Sequence, residues 1–134
     1  MWSLNHNEAA DLFGIPREDD KAMIAQLQKL PVEMTFYRVG SRGAFVVTPT
    51  NSYFCQVIKP FGESADPTGC GNNSTGTAMY SWAAGDDGAS VAVKACISAG
   101  FNAAQNGPYP LYTEEDTHLA EQLLREYLPK VRAI

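Results

Sequence analysis

Two periodicities divide the chain. In "NEAADLFGI", Ala9, Ala10, Leu12 and Phe13 offer one apolar side of a short helix that Gly14 stops. Beyond Pro16, Met23, Ile24, Leu27 and Leu30 recur at three- and four-residue steps, which predicts a second helix ended by Pro31. The period then changes. "VEMTFYRV" alternates Val32, Met34 and Phe36 with polar partners and is rich in β-formers, so it reads as a strand. "AFVVT" and "YFCQVI" read as two more, and the turn-forming "PTNS" between them suits a hairpin. "GESADPTGCG" is loop.

From Asn72 onward the pattern is helical again, with "STGTAMYSWAAG" closing at Gly85. "DDGASVAVKACISAGFNAAQNG" is rich in small residues, which lets a helix pack closely against a neighbour. In the last helix Thr113 can cap, with Asp116 in the place a capping box usually gives to Glu. Leu119, Leu123, Leu124, Tyr127 and Leu128 form its apolar stripe. Acids at its start and Arg125 and Lys130 near its end follow the helix dipole. The order is α, then three strands, then α. Trp82 and Tyr80 are expected in the core, and His6 and His118 at the surface.

With 134 residues the chain suits one domain, and 45% hydrophobic with 19% charged residues suits a globular protein. A net charge of −5 with scattered Lys and Arg disfavours nucleic acid. Cys55, Cys70 and Cys96 are odd in number and lack a C-x-x-C pair, which points away from zinc or a disulfide framework and toward a reducing cytoplasm. No apolar run approaches the roughly 18 residues of a membrane span, and "MWSLNHNEAA" has no signal-peptide pattern.

The densest chemistry is "DPTGCGNNSTG", Asp66 to Gly76, just ahead of a helix. A glycine-rich loop entering a helix points unpaired backbone N–H groups at the positive end of the dipole, a ready anion site. Gly69 and Gly71 would let a phosphate approach the backbone. The rival is an ordinary polar turn.

The string resembles the D-T-x-G-A-G-D-x-F-x-G signature of the PfkB/ribokinase family of sugar and nucleoside kinases, with Asp66, Thr68, Gly69, Gly71 and Gly76 in register. "NHNE", Asn5 to Glu8, resembles that family's N-x-x-E motif at a strand end. "VGSRGAFVV" is similar to its nucleotide loop, and "ISAGFNAAQNGPYP" to the helix and loop that close over adenine. The resemblance implies a ribokinase-like three-layer α/β/α fold cut to its C-terminal half, three strands with flanking helices. Residues 1–134 would form a single partial domain that binds ATP and magnesium for phosphoryl transfer to a carbohydrate hydroxyl. The backbone amides of Gly69, Cys70 and Gly71 would form the anion hole, and Glu8 with Asn5 would place magnesium. Arg38, Gly40, Ser41 and Gly43 would lie along the nucleotide, and Asn102 would border the adenine. Asp66 and Thr68 would belong to a loop where many relatives hold a monovalent cation, potassium being the expected one. Each has a plainer reading: Asn5-x-x-Glu8 is also a capping box, and Gly43 sits where a strand-to-strand turn needs glycine.

Two departures stand out. Asn72 occupies the position of the family's catalytic Asp; an amide cannot take a proton, and losing a positioned base costs roughly 10²–10⁴ in rate. The resemblance also lacks the N-terminal half, where it would place most acceptor contacts, so an acceptor sugar or nucleoside is expected only if that half is supplied. The chain is expected to begin inside a strand, so either a second copy or a partner chain covers the severed sheet edge, or the piece is a C-terminal fragment of a larger kinase. The alternative is a non-catalytic remnant or interaction module that keeps the fold. Arg38 stands where relatives often carry Thr, and its charge can still meet phosphate.

Overall fold

A computed structural model describes residues 1–58, 70–103 and 114–133, with the side chains of residues 70–72, 102, 103 and 116 outside the description. Strands β1 (Trp2–Asn5), β2 (Thr35–Arg38), β3 (Gly43–Val47), β4 (Ser52–Gln56) and β5 (Arg132–Ala133) form one sheet in that order. β1 and β2 are parallel, and every other neighbouring pair is antiparallel. The helices are α1 (His6–Phe13), α2 (Asp20–Gln28), α3 (Cys70–Ala83), α4 (Gly88–Ala103) and α5 (Glu114–Tyr127).

Alternation along the strands divides the core in two. Phe36, Ala44, Val46 and Cys55 face α3, α4 and α5, where they meet Ala78, Val91, Ala95, Cys96 and Leu123. Leu4, Tyr37, Phe45 and Val47 face the other way, against Ala9, Met23, Ile24 and Leu27 of α1 and α2. The result is the expected α/β/α layering. Because both faces are covered, β2 is buried at Thr35, Phe36 and Tyr37 alike, and the polar partners inferred for that strand are core residues. Among the described residues the sheet has five strands rather than the three read from hydropathy. β5 is only two residues long, too short to carry a period, and pairs with Tyr53 and Phe54 of β4.

Local signals end the helices as expected. Gly14 takes the left-handed conformation (φ 63°) that closes α1, and its N–H donates to the Ala10 carbonyl. At the start of α1 the Asn5 side chain accepts from the Glu8 N–H, and Glu8 Oε1 accepts from the Asn5 N–H, each at 2.9 Å. This is a complete capping box. α3 begins at Cys70, two residues earlier than the pattern suggested. The caps inferred for α5, Thr113 and Asp116, lie outside the described residues and side chains.

Other expectations are corrected. Tyr80 is 79% exposed because it lies on the side of α3 away from the sheet, whereas Trp82 packs against the core. Leu128 falls past α5 in a one-turn 3-10 segment and is partly exposed. His118 is exposed as expected, but His6 is half-buried.

The connection between α3 and α4 is held by charge. Asp86 accepts from Ser81 Oγ at 2.5 Å and from Lys94 Nζ at 2.6 Å. The Lys94 ammonium, then the Ser81 hydroxyl, hold its carboxyl below the usual aspartate range. A depressed folded-state pKa contributes stability above the unfolded value of about 3.9, lost as pH falls through the folded value.

Asp86→Asn should therefore melt below wild type at pH 7. The gap should narrow as the pH falls below about 4, as read by thermal melts from pH 7 to 3. At α1, Asn5→Ala should cost about 1 kcal/mol in urea unfolding through the lost cap. Glu8→Gln should stay within about 0.5 kcal/mol, since Gln also completes the box.

Candidate functional site

The parallel register of β1 and β2 sets Asn5 beside Arg38, the antiparallel register of β2 and β3 sets Arg38 beside Ala44, and Ala44 pairs with Cys55 of β4. This row lies on the sheet face covered by α3 and α4, at the carboxyl ends of β1 and β2. In open α/β sheets that is where ligands sit. A cavity of about 500 Å³ opens there, within the range of small-molecule and cofactor sites.

Its walls come from five places in the chain. Asn5, His6 and Asn7 contribute the end of β1 and the start of α1; Arg38, Gly40, Ser41 and Gly43 contribute the turn between β2 and β3. Val57 and Ile58 follow β4, Ser74 comes from α3, and Ala95, Cys96, Ala99 and Gly100 from α4. Five residues predicted from sequence therefore share one cavity: Asn5, Arg38, Gly40, Ser41 and Gly43.

The turn is built for close approach. Gly40 and Gly43 both have positive φ, 65° and 130°. A Cβ on Gly43 would lie 2.1 Å from the Cys55 carbonyl oxygen, so only glycine fits. Arg42 donates to both carboxylate oxygens of Asp20 at 2.7 and 3.1 Å, tying the turn to α2. Bidentate pairing of this kind fixes geometry as well as adding energy.

The cavity's charge is one-signed. Arg38 is the one formally charged residue in the lining, and no carboxylate lines it among the described residues. Arg38 Nε is buried and has no hydrogen-bond partner among the described residues. One of its terminal nitrogens lies 3.7 Å from Glu8 Oε1. A buried donor left unpaired costs about 1–3 kcal/mol, and an anion in the cavity would satisfy it. Burial, then the positive fields of Arg17 and Arg42, lower the His6 pKa from its ordinary value. The site is locally positive although the chain carries −5.

Glu8 is outside the lining and 60% exposed at its side chain. Its Oε1 is engaged in the capping box and faces Arg38. Among the described residues no group of three or more His, Cys, Asp or Glu is placed to hold a metal. Magnesium needs few protein ligands, commonly one or two carboxylates plus substrate phosphates and water. Glu8 beside the cavity satisfies that modest requirement.

The start of α3 faces the same region. Ser74 lines the cavity, and the Ser3 and Thr75 hydroxyls hydrogen-bond at 2.9 Å, holding α3 against β1. Cys70, Gly71 and Asn72 are its first residues, where helix N–H groups lack intrahelical partners. Asn73 is held structurally: Thr77 Oγ1 donates to Ser98 Oγ at 2.8 Å, and Ser98 Oγ donates to Asn73 Oδ1 at 2.7 Å. Asp66, Thr68 and Gly69 lie outside the described residues, and Asn102 belongs to α4 with its side chain outside the description. His6, Asn7 and Ser74 are lining residues that the sequence did not single out. His6 and Asn7 are the unspecified positions of Asn5-x-x-Glu8, which nothing in a pattern could mark.

Among the described residues no helix is long and apolar enough to cross a membrane. A sequence model described as pfkB family carbohydrate kinase matches residues 2–114. No curated protein matches the sequence significantly. Among solved structures, ribokinase from Arabidopsis thaliana complexed with ribose and ATP is 22% identical with a TM-score of 0.76, the match covering 92% of this chain and 40% of that one. Adenosine kinase from Sinorhizobium meliloti is 19% identical with a TM-score of 0.73, over 93% of this chain and 35% of that one. An Escherichia coli protein named as a ribokinase II, in complex with ATP and Mg²⁺, is 18% identical with a TM-score of 0.72, over 93% and 39%. This chain thus spans about two-fifths or less of the length of these structures. With its ribokinase-like fold and a family match over most of its length, the chain belongs to the pfkB family of carbohydrate kinases.

Proposed function

We propose that residues 1–134 form the C-terminal, nucleotide-binding part of a pfkB-type kinase and hold ATP with magnesium for phosphoryl transfer to a sugar or nucleoside hydroxyl. The single observation that carries this reading is the buried, unpartnered Nε of Arg38 in a cavity without carboxylates among the described residues. Such a site favours a polyanion. The small and apolar lining residues Ala44, Ala95, Ala99, Gly100, Val57 and Ile58 suit an apolar base. The triphosphate would run past Gly40, Ser41 and Arg38 toward the first turn of α3, where the amides of Gly69, Cys70 and Gly71 would hold developing charge. Glu8, oriented by the capping box, would hold magnesium through water; the ion would neutralise charge on the phosphates. Asp66 and Thr68 would hold a monovalent cation, potassium. Asn102 would border the base.

Phosphoryl transfer depends chiefly on placement and electrostatics, so Asn72 in place of an Asp reduces turnover more than binding. The acceptor side must come from chain outside residues 1–134. β1 supports this: it has one strand neighbour among the described residues, and Leu12 and Met79, on helices either side of the sheet, are 59% and 55% exposed. A further parallel strand with its own helices would cover them. A cytoplasmic setting suits the three thiols. Asn72 favours a second reading, a non-catalytic module that keeps the nucleotide.

ATP with magnesium should raise the melting temperature, by the equivalent of about 2.7 kcal/mol at a hundredfold excess over Kd. Glu8→Gln should keep the unliganded melting point and lose most of the magnesium-dependent part of the shift. No shift at millimolar ATP would remove the nucleotide reading. Turnover by the wild-type chain mixed with the complementary half of a homologous kinase, raised further by Asn72→Asp, would decide for the kinase; turnover in that mixture with the Asn72→Asp protein alone, and none with wild type, would decide for the second reading.

A further inference from the structure

The cavity wall contains one thiol, Cys96, with a second, Cys55, behind it in the core, and nucleotide binding uses neither. Cys55 projects from β4 toward α4, in the sheet row that runs from Asn5 through Arg38 and Ala44. Cys96, on α4, lies over it, with Sγ 3.7 Å from the Cys55 carbonyl oxygen. The two belong to the same core cluster, 2% and 5% exposed. Cys96 also lines the cavity, one turn before Gly100 and between Ala95 and Ala99. Both are therefore shielded from bulk solvent, with Cys96 facing the cavity and Cys55 behind it.

We propose that Cys55 and Cys96 are an oxidation site: a hydroperoxide entering through the cavity converts them to an intrachain disulfide that closes the site. In the first step one sulfur attacks a peroxide oxygen, breaking the O–O bond and giving a sulfenic acid and water. The second thiol then attacks the sulfenic sulfur, expelling water and forming the S–S bond. Two thiols lose two electrons and two protons, and hydrogen peroxide becomes two waters.

The environment divides the roles. The two side chains are hydrogen-bond neighbours, and that bond draws the Cys55 thiol below its ordinary value. The same bond, then burial, push the Cys96 thiol well up. Cys96 is the sulfur that the cavity reaches, and Cys55, behind it, is the one that loses its proton more readily. An S–S bond of about 2.05 Å is much shorter than a non-bonded sulfur contact. Forming it draws the Ala95–Ala99 turn of α4 toward β4, and those alanines are cavity wall. The effect on nucleotide rests on the reading given above; the cross-link itself does not.

The test uses the reduced 134-residue chain treated with graded hydrogen peroxide, then unfolded, alkylated and digested without reductant. The expected result is loss of two alkylatable thiols together, a cross-linked Cys55–Cys96 peptide pair, and reversal by dithiothreitol. Cys55→Ser and Cys96→Ser should each abolish the pair. Recovery of both thiols, separate over-oxidation without a cross-link, or pairing of either with Cys70 would overturn the proposal. Saturating ATP with magnesium should slow cross-linking at least fivefold. If ATP raises the melting point yet leaves that rate unchanged, entry through the cavity is wrong. If ATP does not bind at all, the nucleotide reading fails while the cross-link still tests the dithiol.

Discussion

One backbone constraint organises the molecule: the parallel pairing of β1 with β2, which aligns Asn5 with Arg38. Both are the last residues of their strands. Asn5 immediately caps α1, so the helix and its Glu8 start beside the Arg38 side chain. The hairpin continues the same row to Ala44 and Cys55. A one-residue slip would turn the whole row to the opposite face. The cavity would then lose Arg38 and receive the bulk of Tyr37.

The electrostatic character of the site follows from that placement. A chain with a surplus of acids keeps carboxylates out of the described cavity lining and leaves one guanidinium nitrogen buried without a partner among the described residues. Such an arrangement costs stability in the free protein. An anion entering the cavity would offset that cost. The bidentate Asp20–Arg42 pair lies just outside the cavity and fixes the glycine turn that borders it. The Ser3–Thr75 contact fixes α3 on the other side. Local rigidity comes from these polar ties, because small residues line much of the α4 wall.

Much of this is legible in the sequence. Gly14 ends α1 in the left-handed conformation that its position demands, and the central strands carry β-formers at the expected places. Five of the expected ligand residues do meet in one cavity. What the pattern could not give has physical reasons. A strand covered on both faces shows no polar face, which hides the burial of Thr35 and Tyr37. A two-residue strand such as β5 has no period. His6 occupies an unspecified motif position and packs against the turn at Gly40, where a Cβ would come within 3.1 Å of its ring. The Cys55–Cys96 approach joins β4 to α4 across the core and has no spacing signature at all.

The central claim is that Arg38 waits in this cavity for a nucleotide's phosphates. Calorimetric titration of ATP with magnesium into wild-type and Arg38→Ala chains at matched salt tests it most directly. The account predicts at least tenfold weaker binding for Arg38→Ala, since a charge-assisted contact is worth about 1.5–3 kcal/mol, and a shallower loss of affinity with added salt. Equal affinities, or ATP binding that ignores salt in both chains, would contradict it.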